Sequence, residues 1–157
     1  MDTMRIQPYE YTDSVVLGDI YRTAILTAGQ EYYSDEQVTA WASYPDDKDE
    51  FARWVQEAST VVAIAEHLGP VGFGGLEKTG RIASLFVRPE YMRQGVASAL
   101  LKRLMSEAES QGMRELTTQA SEFSKPLFEK FGFEVTNIER TTFKNVDFTR
   151  YVMRKYQ

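Results

Sequence analysis

The stretch from Arg81 to Leu101, RIASLFVRPEYMRQGVASALL, constrains this chain more than any other. An apolar strand, Ile82–Val87, runs into Pro89 and a small turn, and Gly95 then opens a helix at Val96. The first turn of a helix carries backbone N–H groups with no intrahelical acceptor, at the positive end of the helix dipole. Phosphate binds at such places. Gly95 lacks a Cβ, so an anion can approach the main chain closely. Ala97 and Ser98 keep the next turn small, and Arg93 adds a fixed positive charge. The alternative reading is a strand–helix joint whose glycine serves packing only. Two commoner phosphate sites are excluded. No Gly-Lys-Ser/Thr follows the turn, and one glycine stands where a dinucleotide fingerprint needs three. The glycines of Val71–Gly75 run into Leu76–Arg81, which opens no helix.

The segment also fixes a piece of topology. A strand over 82–87, an amphipathic helix over Val96–Ser110 stopped by Gly112, and a strand over Glu115–Gln119 form a strand–helix–strand unit. Such a unit implies a local parallel pairing. Around it the pattern predicts a strand at Arg5–Glu10 and a helix after the cap Thr12-Asp13-Ser14, with Val16, Leu17, Ile20, Tyr21, Ala24 and Ile25 on one face. A short helix capped by Ser34 or Asp35 follows, then a third helix after Pro45 with Phe51, Trp54, Val55 and Ala58 inward. Strands at Thr60–Glu66, Val71–Glu77 and 82–87 read as an antiparallel meander. Ser124 is expected to cap a short helix with Pro126 in its first turn. Phe133–Thr142 and Val146–Met153 close as a hairpin across Lys144-Asn145. The expected fold class is thus α/β (α+β): a mixed, mostly antiparallel sheet with flanking helices.

Residues 1–157 are expected to form one domain, large enough to bury roughly two thirds of its extended surface. The hydrophobic share of 43% excludes a disordered chain. No window reaches the roughly 18 apolar residues of a spanning helix, and the N-terminus has no signal pattern. A cytoplasmic protein away from membranes is expected. The absence of cysteine excludes disulfides, thiolate metal sites and a cysteine nucleophile, and a histidine zinc site or a Ser-His-Asp triad would have to rest on His67, the only histidine. No metal is expected. The net charge of −5 argues against a nucleic-acid partner. Residues 29–57 hold eight acids and two bases, while the rest is near neutral. That cluster is either a solvated helix face or an acidic rim drawing in a cationic substrate.

At Val87-Arg88-Pro89-Glu90-Tyr91-Met92-Arg93-Gln94-Gly95-Val96-Ala97 the chain resembles the GNAT superfamily of acyl-CoA-dependent N-acetyltransferases. A second block, Ser124-Lys125-Pro126-Leu127-Phe128-Glu129-Lys130-Phe131-Gly132-Phe133, is similar to that family's late helix. Tyr33–Ala42 and the tail Thr149–Lys155 resemble one bacterial branch, the YafP-like proteins. The resemblance implies a GNAT fold with splayed central parallel strands, acetyl-CoA as co-substrate, and acetyl transfer to an amine of a small molecule or peptide by direct attack on the thioester. It implies CoA contacts at Leu85, Phe86, Val87, Arg93, Gln94, Gly95, Val96, Ala97, Ser98, Lys125 and Phe128. It also implies a backbone N–H near Leu85–Val87, with Phe86 at the centre, that polarises the thioester carbonyl.

Three departures stand out. The family commonly places a tyrosine as general acid where this chain has Phe128, which can line the thioester end but gives no proton. Met92 replaces a usual Gln or Arg, shifting cofactor contacts to Arg93 and Gln94. Bases are scarce: Glu77 and Glu66 are candidates, each also readable as a solvent-facing strand end, and His67 reads most simply as a turn residue. Gly74 and Gly75 mark either a bulge or room for a ligand. Tyr32, Tyr33 and Trp41 are either core or acceptor-binding residues, the latter because the family places these helices over the acceptor pocket. The competing functional readings are an acyl-CoA-binding relic without turnover and an unrelated nucleotide-binding domain. A homodimer is left open.

Overall fold

The computed structural model describes residues 3–10 and 14–157. The described residues form strands β1 (Met4–Pro8), β2 (Ser59–Ala65), β3 (Gly69–Leu76), β4 (Arg81–Val87), β5 (Glu115–Ala120), β6 (Glu134–Phe143) and β7 (Val146–Tyr156). The helices are α1 (Ser14–Ala28), α2 (Asp35–Ala42), α3 (Lys48–Glu57), α4 (Val96–Ser110) and α5 (Lys125–Lys130). One sheet runs in the order β1-β2-β3-β4-β5-β7-β6. Every pairing is antiparallel except β4 with β5.

Helices cover both faces. On one, Leu100, Leu101 and Leu104 of α4 are fully buried with Phe128 and Phe133 against Val61, Val71, Leu116 and Met153 of the sheet. On the other, Leu17, Ile20, Tyr21 and Ile25 of α1 and Phe51 and Val55 of α3 pack on Val62, Ile64 and Phe73. The two cores follow from the period-two alternation of the central strands, which sends successive side chains to opposite faces.

Several local expectations change on the structure. Thr12 and Asp13 of the proposed first cap lie outside the described residues. Ser34, not Asp35, caps α2: its hydroxyl accepts from Gln37 N, and the Gln37 side chain accepts from Ser34 N. Ser124 does not cap α5, because it already has helical backbone angles. The loop is closed instead by Ser121, whose Oγ accepts from Ser124 N at 3.1 Å and whose carbonyl accepts from Lys125 N at 3.0 Å. Gly74 and Gly75 do not make room for a ligand. A Cβ on Gly74 would meet Leu104 Cδ1 at 3.0 Å, and one on Gly75 would meet Ser84 Oγ at 3.0 Å and Ala58 Cβ at 3.1 Å. A register shift between Gly75 and Leu76 agrees with the bulge reading, and close packing against α4, β4, Ala58 and Thr60 leaves no space for a Cβ at either glycine.

Buried phenols give the fold a pH limit. Burial pushes the Tyr21 phenol far above its ordinary value, with Tyr44 adding to the shift and Trp41 opposing it. Tyr33 and Tyr44 are raised too, burial being the first cause. An unfolded chain releases these protons near pH 10, whereas the folded chain holds them. The stability these phenols contribute is therefore fully present below about pH 10 and lost as pH rises beyond it. The denaturant midpoint should fall between pH 9 and 11, and Tyr21→Phe should make that fall shallower.

Candidate active site

The parallel pairing of β4 with β5 is brief. Arg81 faces Thr117 and Ile82 faces Thr118, Thr118 Oγ1 donates to Ile82 O at 3.0 Å, and beyond that the strands part. A register shift between Gly75 and Leu76 of β3 sits opposite Ala83 and turns β4 at the point of parting. Ideal Cβ positions on Gly72 and Gly74 fall 3.0 and 3.3 Å from the carbonyl oxygens of Phe86 and Ser84, so those carbonyls point at β3. Arg88 N also donates to Val71 O on β3, at 2.7 Å. In a strand the N–H and C=O of one residue lie on the same side and alternate from residue to residue. The N–H groups of Leu85 and Val87 thus turn toward the gap, while that of Phe86 faces β3. The expectation centred on Phe86 moves to its two neighbours.

Past its unpaired residues β4 runs into the turn from which α4 departs. There Gly95 takes a left-handed conformation, φ +85°, and a Cβ on it would meet nothing within 4 Å. Arg93 is also left-handed, φ +60°, and Arg93, Gln94 and Gly95 are exposed. No side chain caps α4, so its first amides are open to an outside acceptor. Gln94 spends its side-chain amide on Glu90 O at 2.9 Å. Met92 packs against the α4 core, so it serves the fold. Lys125, at the start of α5, lies 4.7 Å from the Tyr151 ring centroid.

On the other side of the gap lies a cavity of about 350 Å³. Leu85, Phe86, Ser84, Thr118 and Phe128 form its floor, and Tyr21, Tyr33, Trp41, Tyr44, Trp54, Phe123, Phe143 and Phe148 its aromatic walls. Trp41 packs 5.5 Å from both Tyr33 and Phe123, and the Tyr21 ring sits 4.6 Å from Phe86. The wall from α2 is tied to the β6–β7 hairpin: the Gln37 amide donates to Asp147 O at 2.9 Å, and Lys144 Nζ donates to Ser43 Oγ at 2.7 Å. Tyr33 Oη accepts from Glu122 N at 2.8 Å, and the Tyr151 hydroxyl donates to Glu122 Oε1 at 2.6 Å. Phe128 is buried, edge-on to Phe133 at 5.2 Å.

Of the residues expected at the site, Tyr33, Trp41, Leu85, Phe86 and Phe128 meet at this cavity. Tyr32 does not line it and is half exposed. Glu77 also stands outside the lining, and its carboxylate is 2.9 Å from Arg81 Nη1. The acids of residues 29–57 are all exposed, and none lines the cavity. The ionisable lining consists of tyrosines, Arg81 and Arg150. Sequence reasoning missed Arg150, Phe148 and the Tyr21–Tyr44–Trp54 wall. Alternation places Phe148 and Arg150 on one face of β7, but does not say that this face meets α2.

A model of the acetyltransferase (GNAT) domain matches residues 30–155. The chain belongs to the GNAT family. Its reaction class is accordingly acyl-CoA-dependent N-acetyl transfer. It is 37% identical to the uncharacterized N-acetyltransferase YafP of Escherichia coli (strain K12), over 98% of this chain and 97% of that protein. Among solved structures, a GCN5-related N-acetyltransferase (Aminotransferase, Class-II) from Rhodopseudomonas palustris superposes with a TM-score of 0.95 at 29% identity, over 100% of this chain and 98% of that one. The PaiA N-acetyltransferase of Thermoplasma acidophilum, solved with coenzyme A, shares the fold with a TM-score of 0.80 at 18% identity, over 99% of each chain. No helix among the described residues is long and apolar enough to cross a membrane.

Proposed function

We propose that this protein transfers acetyl from acetyl-CoA to the amine of a small molecule held in the aromatic cavity. The observation that carries the reading is the parting of β4 and β5 between an uncapped, glycine-opened helix start and an aromatic-walled pocket. The residues fit the co-substrate. The Gly95 turn is an open cradle that a Cβ would enter, suited to the pyrophosphate. The gap suits the pantetheine arm, and the Leu85 and Val87 amides are oxyanion donors for the thioester carbonyl. Removing such a donor elsewhere costs about 10²–10³ in rate. The amine attacks the carbonyl carbon, the C–S bond breaks, and CoA leaves as thiolate. With Phe128 at the family's acid position, no proton comes from that residue. A thiol pKa of roughly 8.5 makes the thiolate a competent leaving group near neutral pH. The acetyl-CoA pool of the cytoplasm is the setting this reaction requires.

No carboxylate or imidazole lines the cavity among the described residues. The acceptor therefore reacts as its free base, losing its proton to water. Thiol release with amines of different basicity tests this: the rising limb of kcat/KM against pH should follow each amine's own pKa. A limb fixed at one enzyme pKa for every amine would contradict it. CoA binding with no turnover on any amine would instead make the protein an acyl-CoA-binding relic.

A further inference from the structure

The cavity is apolar and aromatic, and its only charged lining residues are arginines. Arg81 is occupied: Nη1 donates to Glu77 at 2.9 Å and Nε to the Gln119 side chain. Arg150 is not. One Nη binds Glu139, its cross-strand partner, while Nε is the one buried side-chain donor without a partner among the described residues. A shut-in N–H without an acceptor is costly, so the resting pair leaves the guanidinium under-satisfied. Arg150 is two residues from Phe148 on β7, on the face that meets Trp41 and Tyr33.

We propose that the acceptor is an aromatic α-amino carboxylate, its ring held by the Trp41–Phe148 wall and its carboxylate taken by Arg150. The proposal rests on acetyl transfer as the reaction. A carboxylate entering the cavity draws the guanidinium round from Glu139 and engages it edge-on, giving Nε its missing acceptor. A monoanion suits the site better than a phosphate, because Arg81 is committed elsewhere and a single arginine remains. The acids of residues 29–57 face solvent outside the cavity and make neither of these contacts.

Matched amines that differ only in the carboxylate test this. Wild-type protein should acetylate L-phenylalanine at least about tenfold better, in kcat/KM, than 2-phenylethylamine, and Arg150→Gln should erase the preference. Glu139→Gln, which frees the guanidinium, should strengthen it, an effect that a purely structural ion pair would not produce. Binding of 3-phenylpropionate to the CoA-loaded protein, followed by calorimetry, needs no turnover. It should weaken about tenfold in Arg150→Gln and tighten in Glu139→Gln, with CoA affinity unchanged in both. If no amine is acetylated but 3-phenylpropionate binds in this pattern, the reaction is wrong and the anion site stands. Equal use of the two amines, a preference for 2-phenylethylamine, or failure of 3-phenylpropionate to bind would overturn the proposal.

Discussion

Gly95→Glu should lose CoA affinity by at least about 100-fold while the protein stays folded. The residue's φ of +85° is a conformation that side chains other than glycine enter at a cost of about 1–2 kcal/mol. Because no atom lies within 4 Å of the Cβ position, nothing else in the fold resists the change. In a domain of this size each kcal/mol lowers Tm by about 2–4 °C, so a fall of roughly 2–8 °C is expected. The new carboxylate occupies the open space before the first amides of α4 and repels the phosphates those amides would hold. Gly95→Asn, neutral and tolerant of the left-handed region, separates strain from charge and should keep most of the affinity. Calorimetry showing Gly95→Glu within threefold of wild type would remove the phosphate site from this turn.

Gly80→Ala should be the most destabilising single-methyl change among these turns. Gly80 has φ +90°, and a Cβ there would stand 2.4 Å from the carbonyl oxygen of Glu115, a backbone atom with little freedom to give. The same residue accepts from Thr117 N at 3.0 Å, where β4 and β5 first pair. Left-handed strain of about 1–2 kcal/mol and overpacking of about 1–3 kcal/mol together predict a Tm fall of roughly 4–20 °C. The strands would be forced apart at their one joined end, so activity should fall in the protein that remains folded. Gly112→Ala supplies the control, with φ +74° and open space around its Cβ. Equal losses from the two substitutions would show that contact with β5 is not what Gly80 serves.

Much of this architecture was legible because local rules and tertiary packing agree. The amphipathic run of α4 gave its boundaries, Val96–Ser110, without adjustment. The turn at Lys144-Asn145 joins β6 to β7 with both residues at positive φ, as a two-residue hairpin of this hand requires. The strand–helix–strand unit implied the parallel pair before its register was known. What escaped depends on contacts distant in sequence. Ser121 closes the α5 loop because its hydroxyl meets Ser124 three residues on, a choice that capping statistics do not rank. Gly75 answers to Ser84, Ala58 and Thr60, none of them visible from its neighbours in the chain. The acidic cluster's charge was visible in the sequence, but its place outside the cavity lining was not. Alternation could not say which face of β7 looks into a cavity, so Arg150 passed unnoticed.

We propose that the thioester lies between β4 and β5, with its carbonyl on the Leu85 or Val87 amide and the CoA pyrophosphate on the Gly95 turn. A crystal structure of the protein with acetyl-CoA tests it most directly. The acetyl oxygen should lie about 2.7–3.2 Å from one of those two nitrogens, with phosphate oxygens on the amides of residues 95–98. An acetyl group bound elsewhere, or a pyrophosphate away from the start of α4, would contradict it.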